Sequence, residues 1–167
     1  MNQTPMTLLA SPSSRRHALR WAAAGVAAAA SGPAWAQRAP QATAVEVWKD
    51  ASCGCCHDWI THMEQNGFAV TAHDTGNNAV RARLGLAAKY GSCHTALVGG
   101  YVVEGHVGAA EVRRLLRERP DALGLAVPGM PVGSPGMDGA VYKGRRDQYD
   151  TVLVLRDGTS RVFQKHG

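Results

Sequence analysis

The spacing of apolar and polar positions changes several times along the chain, and the changes predict alternating strands and helices. An apolar run over 45–48 indicates a strand. The next segment repeats its apolar side chains at helical spacing until Gly67, a residue suited to a helix C-cap. Residues 68–73 then alternate as a half-buried strand does. The same criteria predict a short helix around 79–84, strands over 95–98 and 101–104 joined by a Gly-Gly turn, and a helix over 108–118.

Residues 124–139 show neither the helical nor the strand period. They contain five Gly and three Pro, which is typical of a shaped loop or of a linker. The apolar residues among them favour the shaped loop, because solvated linkers seldom carry such side chains. Beyond it, the apolar runs 149–155 and 159–163 flank Asp157-Gly158, which predicts a terminal β-hairpin.

Residues 1–36 predict a cleaved signal peptide. They contain no acidic residue and place Arg15-Arg16 ahead of an Ala-rich run, and they end in Ala34-Trp35-Ala36. The arginine pair resembles a twin-arginine export signal, and the general secretory route stays open. Residues 37–44 would form a short linker. We therefore expect a periplasmic protein with no membrane span once the signal is removed.

Removal of the signal also removes most of the positive charge. Three of the 18 Lys and Arg residues lie within 1–36, so 15 remain against 13 acidic residues. Nothing in this balance resembles a nucleic-acid footprint, and we expect no nucleic-acid partner.

Four cysteines in the mature part supply the candidate chemistry. Cys53, Cys55 and Cys56 occupy the turn between the first strand and the first helix, and Cys93 precedes strand 95–98. A helix N-terminus lowers the pKa of a thiol placed there. An even count in an oxidising compartment first suggests two disulfides. Neighbouring thiols rarely bridge each other, however, and only one member of the cluster could reach Cys93, so the sequence favours a thiolate site.

The element order, with a Cys-x-x-Cys pair at the first helix, resembles a thioredoxin fold. Cys53-Gly54-Cys55-Cys56 stands where thioredoxins have C-G-x-C, and His94-Thr95 stands where they have a cis-Pro-Thr. That departure argues against the usual peptide groove, and the alignment brings Cys93 and His94 beside the cysteine turn. We expect an α/β domain over 45–119 with a central sheet flanked by helices. A Gly/Pro/Met-rich C-terminal extension over 120–167 would pack on the same domain.

Four stretches of the mature chain carry a second resemblance, namely Cys53-Gly54-Cys55-Cys56, Ser92-Cys93-His94-Thr95, Gly99–His106 and Gly124–Met137. With these stretches the chain resembles the CopG-type periplasmic copper-resistance proteins. The resemblance implies a thioredoxin domain with a C-terminal extension that binds copper through the Cys-x-Cys-Cys cysteines and acts in copper redox handling.

The candidate ligands are soft donors. Thiolates and thioethers select Cu(I), and bridging sulfurs let several Cu(I) ions share few cysteines. A single tetrahedral zinc is an alternative that leaves Cys55 and the methionines without a role. The predicted metal ligands are Cys53, Cys55, Cys56, Cys93, His94, Met130, Met137 and His106.

Several functions remain open on this sequence. The first is a periplasmic copper protein that interconverts Cu(I) and Cu(II), because thiolates stabilise Cu(I) while imidazole also accepts Cu(II). The second is a copper chaperone or scavenger that passes the metal to a periplasmic efflux system without turnover. The third is a thiol–disulfide oxidoreductase with Cys53 as nucleophile and Cys56 as resolving thiol. Zinc storage is the weakest of the four.

Overall fold

The computed structural model describes residues 41–167. The predicted signal peptide and the first half of the predicted linker, 37–40, lie outside the described residues. The strands are β1 (Thr43–Lys49), β2 (Phe68–His73), β3 (His94–Val98), β4 (Tyr101–Glu104), β5 (Gly124–Ala126), β6 (Tyr149–Val154) and β7 (Ser160–His166). The helices are α1 (Gly54–Gln65), α2 (Asn78–Arg83) and α3 (Ala109–Glu118), with 3-10 turns at Ala88–Tyr90 and Ala140–Tyr142. Among residues 41–167, none of the helices combines the length and the apolar character that crossing a membrane requires.

The strands form one mixed sheet in the order β2-β1-β3-β4-β5-β6-β7. β1 runs parallel to β2 and antiparallel to β3, and β4 returns antiparallel to β3. β5 joins β4 in parallel, and β6 and β7 follow as an antiparallel hairpin. The α/β fold with a thioredoxin-like central sheet is therefore confirmed, and the residues after 120 extend that sheet.

The helices pack on the sheet because each has one apolar face. In α1, Trp59 and Met63 lie four residues apart and are fully buried. In α3, Val112 and Leu115 are buried in the same way. All four belong to one core cluster with Val47 of β1. The core therefore holds the start of α1, which carries the cysteines, against the sheet.

The Gly/Pro-rich segment differs from the prediction at its first three residues. Gly124–Ala126 forms β5, so the expectation of no strand there is wrong. A strand of three residues is too short to show a period in the sequence, and this one is stabilised by its pairing with β4 and β6. A Cβ at Gly124 would overlap the backbone of Val102, so only glycine allows the two strands to pair at this point.

The rest of this segment is a shaped loop that returns to the first turn of α1. Gly136 has a φ of +84°, and a Cβ there would lie 2.6 Å from the carbonyl oxygen of Cys55 and 2.8 Å from the backbone nitrogen of Trp59. Backbone hydrogen bonds from Gly133 to Met137 and from Met137 to Ser134 close the loop on itself. The extension thus packs directly on the turn that carries the cysteines.

Candidate metal centre

The turn between β1 and α1 carries three of the four cysteines. Cys53 is the N-cap residue of α1, and Cys55 and Cys56 occupy its first turn. Cys53 and Cys56 are joined by a disulfide, whereas Cys55 and Cys93 are free thiols. The sequence favoured four thiols over two disulfides; this structure has one disulfide and two thiols, so four thiolates are available only after reduction.

The two free thiols lie next to each other and next to the disulfide. The Sγ atom of Cys55 lies 3.7 Å from that of Cys53 and 3.7 Å from that of Cys93. The Sγ atom of Cys56 contacts the carbonyl oxygen of Cys93 at 3.6 Å. The predicted approach of Cys93 to the cysteine turn therefore occurs, although 37 residues separate it from Cys56.

Cys93 is also in contact with two histidines. Its Sγ atom lies 3.1 Å from Nε2 of His106 and 3.4 Å from Nδ1 of His94. Two groups of potential metal-ligating atoms result, and in each group all the atoms lie within 4.8 Å of one another. The first group comprises Cys53, Cys55, Cys56 and Cys93, and the second comprises Cys93, His94 and His106. Cys93 belongs to both.

His106 presents a defined nitrogen to this sulfur. Its Nδ1–H donates to the carbonyl oxygen of Pro135 at 2.8 Å, so in the neutral ring Nε2 carries the free lone pair. Burial lowers the pKa of His106, which keeps the ring neutral. A carbonyl that holds the far nitrogen of a histidine is the usual support for a metal-binding imidazole.

His94 is the most deeply enclosed group of the centre. The ring is fully buried between Trp59, at 4.4 Å between ring centroids, and His106, at 5.1 Å. Burial, with the neighbouring His106 as the second cause, lowers the pKa of His94 to about 3. Among the described residues its Nε2 atom has no hydrogen-bond partner. A buried ring nitrogen without a partner is costly. The nitrogen that faces the Cys93 sulfur is Nδ1, so Nδ1 is the atom that this ring can offer to a metal ion at the sulfurs.

Burial also controls the protonation of Cys93. Burial, followed by the adjacent Cys55, raises the pKa of the Cys93 thiol to about 12. In the metal-free protein this thiol therefore keeps its proton. A soft cation would displace that proton, since the thiolate is the ligand form of cysteine.

A buried polar network holds the backbone around Cys93. The Glu104 carboxylate, at the end of β4, accepts hydrogen bonds from the Ser92 backbone at 2.7 Å and from the Thr95 hydroxyl at 2.6 Å. Arg81 of α2 donates to the same carboxylate at 2.8 Å and to the Ser92 carbonyl at 2.7 Å. Sequence reasoning missed this network. An acidic residue closing an apolar strand was its only signal, and nothing along the chain pointed from it to Arg81.

The remaining predicted residues lie around this centre in different settings. Met137 is buried, and its sulfur accepts a hydrogen bond from the Tyr142 hydroxyl at 3.2 Å. Met130 is 52% exposed and follows Gly129, whose carbonyl accepts a hydrogen bond from the Ser92 hydroxyl. The structure thus brings the four cysteines, His94 and His106 together. The two methionines are located in the loop that packs on the centre.

Fold and centre together define a thioredoxin-like domain that carries a cysteine and histidine metal-binding group. The family described as "Protein of unknown function, DUF411" matches residues 90–137, a stretch that contains Cys93, His94, His106 and the Met-bearing loop. Among curated proteins, none matches the chain.

Solved structures extend the comparison to the whole domain. Two structures titled copper resistance protein CopG, form 2 and form 1, are each 49% identical to this chain and superpose with TM-scores of 0.70 and 0.69. Each covers 75% of this chain, and the alignments span 99% and 98% of the CopG chains. The chain belongs to the CopG family of copper resistance proteins.

Proposed function

We propose that this protein binds copper at the described centre and acts in copper resistance in the periplasm. The observation that carries the proposal is the position of Cys93, whose sulfur lies against Cys55 on one side and His106 on the other. The copper resistance named for the 49% identical relatives supports copper as the metal. The predicted signal peptide supports the periplasm.

Copper would be held mainly by sulfur. Cys55, Cys93 and His106 supply two thiols and an imidazole in the present state, and the thiols would become thiolate ligands when copper displaces their protons. Reduction of the disulfide would add Cys53 and Cys56. His94 would complete the set through Nδ1, which lies 3.4 Å from the Cys93 sulfur. Four neighbouring thiolates favour Cu(I). They could also hold more than one copper ion, since one thiolate sulfur can bridge two ions.

We assign the two methionines of the loop as further ligands of the same set. Met130 is exposed on the loop next to Ser92, where a thioether could take up Cu(I) from solution. Met137 is buried in the same loop, and it would have to release the Tyr142 hydroxyl to become a ligand. Both assignments can be tested by Met→Leu substitution, which keeps volume and removes the sulfur.

The mixed donor set supports interconversion of the two copper oxidation states. Thiolates stabilise Cu(I), and imidazole nitrogen also suits Cu(II). A centre that offers both through the shared Cys93 could hold copper on either side of a one-electron change. Copper is the substrate or cargo in this proposal.

Anaerobic reconstitution tests the binding. Reduced protein is loaded with Cu(I), passed through a desalting column and analysed for metal per chain. More than one Cu(I) per chain is expected, with a clear decrease in Cys55→Ser, because Cys55 lies between Cys53 and Cys93. Ser52→Ala, which changes the same turn but no sulfur, is the matched control. One ion or fewer, unaffected by Cys55→Ser, would count against the proposed copper centre.

One observation favours a second candidate, a thiol–disulfide oxidoreductase. The disulfide between Cys53 and Cys56 is the bond that such an enzyme exchanges. Metal-free protein would then catalyse insulin reduction, and Cys53→Ser would abolish the activity. A copper chaperone that delivers to an efflux system would instead hold Cu(I) unchanged under mild oxidants and lose it to an acceptor protein.

A further inference from the structure

The four cysteines are divided into two pairs with different chemistry. Cys53 and Cys56 form a disulfide, which stores two electrons when it is reduced. Cys55 and Cys93 remain thiols beside it, with 3.7 Å between their sulfurs. The redox-active pair Cys53 and Cys56 is therefore in contact with Cys55 and Cys93, whose sulfurs stay available as metal ligands.

The two cysteines of the disulfide differ in exposure. Cys56 is fully buried, whereas Cys53, the N-cap residue of α1, is partly exposed. We therefore expect an external dithiol to attack at Cys53, because Cys56 has no exposed surface. Its first thiolate would attack Cys53 and release the Cys56 thiolate, and its second thiol would then resolve the mixed disulfide.

A metal ion held by Cys55 lies next to this pair. The Cys55 sulfur is 3.7 Å from the Cys53 sulfur, and all four sulfurs fall within 4.8 Å of one another. An electron can therefore pass between the Cys53 sulfur and an ion on Cys55 without crossing intervening protein. Cys93 and His106 remain as ligands whether the disulfide is open or closed.

We propose that Cys53 and Cys56 are the electron source for reduction of Cu(II) at this centre. Two thiols give up two electrons to two Cu(II) ions; the Cys53–Cys56 bond forms, two protons leave to solvent, and two Cu(I) ions result. Cys55, Cys93 and His106 retain Cu(I) after the bond has closed. An external dithiol then reopens the pair. The inference rests on the copper binding proposed above and adds the origin of the electrons.

The test follows copper and cysteine in one anaerobic titration. Fully reduced, metal-free protein receives Cu(II) in increments, and the Cu(II) signal is recorded by electron paramagnetic resonance. Cu(I) is then removed anaerobically with a chelator, free thiols are alkylated, and the disulfides are mapped by peptide mass spectrometry. We expect the signal of about two Cu(II) per chain to disappear, because a disulfide is a two-electron couple. The Cys53–Cys56 bond should form in equal amount, with Cys55 and Cys93 alkylated.

The same chain in its oxidised form is the first control, since it contains no substitution. With the disulfide closed beforehand, it should leave the Cu(II) signal in place. Cys56→Ser, which keeps Cys53 accessible and removes its partner, should lose the two-electron reaction. Ser52→Ala, which removes an exposed hydroxyl bonded to Asp50 and no sulfur, should behave as the unchanged protein.

Three results would overturn the proposal. They are reduction of Cu(II) by the pre-oxidised chain, full reduction by Cys56→Ser, and reduction that yields a Cys55–Cys93 bond or a mixture of disulfides. In each of these cases copper retained on the chain after desalting would leave the proposed copper binding intact. Loss of all copper from both the reduced and the oxidised chain would instead refute the proposed function itself.

Discussion

One hydrogen bond determines which nitrogen of His106 faces the cysteines. Because Nδ1 donates to the Pro135 carbonyl, Nε2 is left as the lone-pair donor 3.1 Å from the Cys93 sulfur. The ring cannot turn without giving up that bond in a buried place, where an unpaired donor is costly. A single side chain thereby joins the Met-bearing loop to the metal-binding group.

Replacement of His106 by alanine should weaken copper binding. The variant removes one of the donors that persist in both redox states, so we expect Cu(I) affinity to fall by roughly tenfold or more, on the scale of perturbed metal sites. Competition with a chromogenic Cu(I) chelator measures the change. His73→Ala, a histidine of β2 outside both metal-ligating groups, should leave the affinity unchanged. Equal affinity of both variants would contradict the role of His106.

Acid should destabilise the metal-free protein through His94. The pKa of His94 is about 3 in the folded chain, against an ordinary value of 6.5, because the ring is buried. As pH falls below about 6.5 the unfolded chain takes up this proton and the folded chain does not. The free energy of unfolding therefore decreases as the pH is lowered from about 6.5 to about 3. The decrease is about 1.4 kcal/mol per pH unit for one proton.

Urea unfolding between pH 4 and 7 tests this dependence. Burial lowers the pKa of His106 as well, which adds to the slope, while burial raises the pKa of Glu104, which acts in the opposite sense. The difference between the unchanged chain and His94→Asn isolates the one proton. Parallel slopes for the two proteins would show that His94 does not carry the effect.

The start of β3 and the end of β4 position the cysteine and histidine centre. The segment Ser92–Thr95 enters β3 while its backbone is bonded to Glu104 at the end of β4 and to Arg81 of α2. Glu104 is fully buried, and its carboxylate accepts three hydrogen bonds, from the Ser92 backbone, Thr95 and Arg81. Three elements thus fix the backbone from which Cys93 and His94 project.

Substitution of Glu104 by glutamine should loosen this segment. The amide cannot accept all three bonds, and an arginine is left without its carboxylate, so we expect a loss of about 1–3 kcal/mol in the free energy of unfolding. Glu118→Gln is the matched control, because Glu118 forms an exposed pair with Arg114 on α3 and should cost no more than about 0.5 kcal/mol. Chemical denaturation of the metal-free proteins compares them. Equal losses would mean that the buried network adds no stability.

The Gly/Pro-rich loop depends on its glycines for contact with α1. Gly136→Ala would place a methyl group 2.6 Å from the Cys55 carbonyl oxygen, in a backbone conformation that side chains rarely adopt. Backbone strain and the clash together should cost about 2–5 kcal/mol. Gly129→Ala has a similar φ, +72° against +84°, and open space around it, so it should carry only the strain, about 1–2 kcal/mol. Thermal unfolding distinguishes the two, and equal shifts would show that the loop is not pressed against α1.

The whole molecule depends on the extension for a complete sheet. β5 pairs with β4 in the middle of the seven strands, and Leu125 and Leu153 from the extension belong to the main core cluster. Without residues 120–167, β4 would become an open edge next to exposed apolar surface. We therefore expect the segment that follows α3 to unfold together with the rest of the sheet.

Deletion of residues 120–167 should prevent stable folding. We expect loss of a cooperative thermal transition and aggregation on size-exclusion chromatography, because the core loses buried leucines and the sheet gains an open edge. Insertion of a short Gly-Ser segment between Gly144 and Arg145, both exposed in the loop before β6, is the control and should be tolerated. A truncated chain that unfolds cooperatively would show that the first 79 described residues, 41–119, form an independent domain.

The local pattern of apolar and polar residues predicted most of the strands and helices of this protein. β2 begins and ends where alternation predicts, at Phe68 and His73, and β4 follows the Gly-Gly turn directly. Helical spacing identified the buried face of α3, and the spacing of Cys53, Cys55 and Cys56 identified the metal-binding turn. These features depend on neighbours within a few residues, and such neighbours are visible along a chain.

Contacts between residues far apart in the sequence were visible only in the tertiary structure. Two residues three apart, Cys53 and Cys56, are bonded while Cys55 between them turns toward Cys93, a choice that spacing alone leaves open. The contact of Glu104 with Arg81 and the support of His106 by Pro135 join segments that no period connects. β5 forms because β4 and β6 pair with it. Its three residues are too few to show the apolar and polar alternation that predicts a strand. The sequence determined which residue types could bind copper, and packing decided which sulfur and which nitrogen meet.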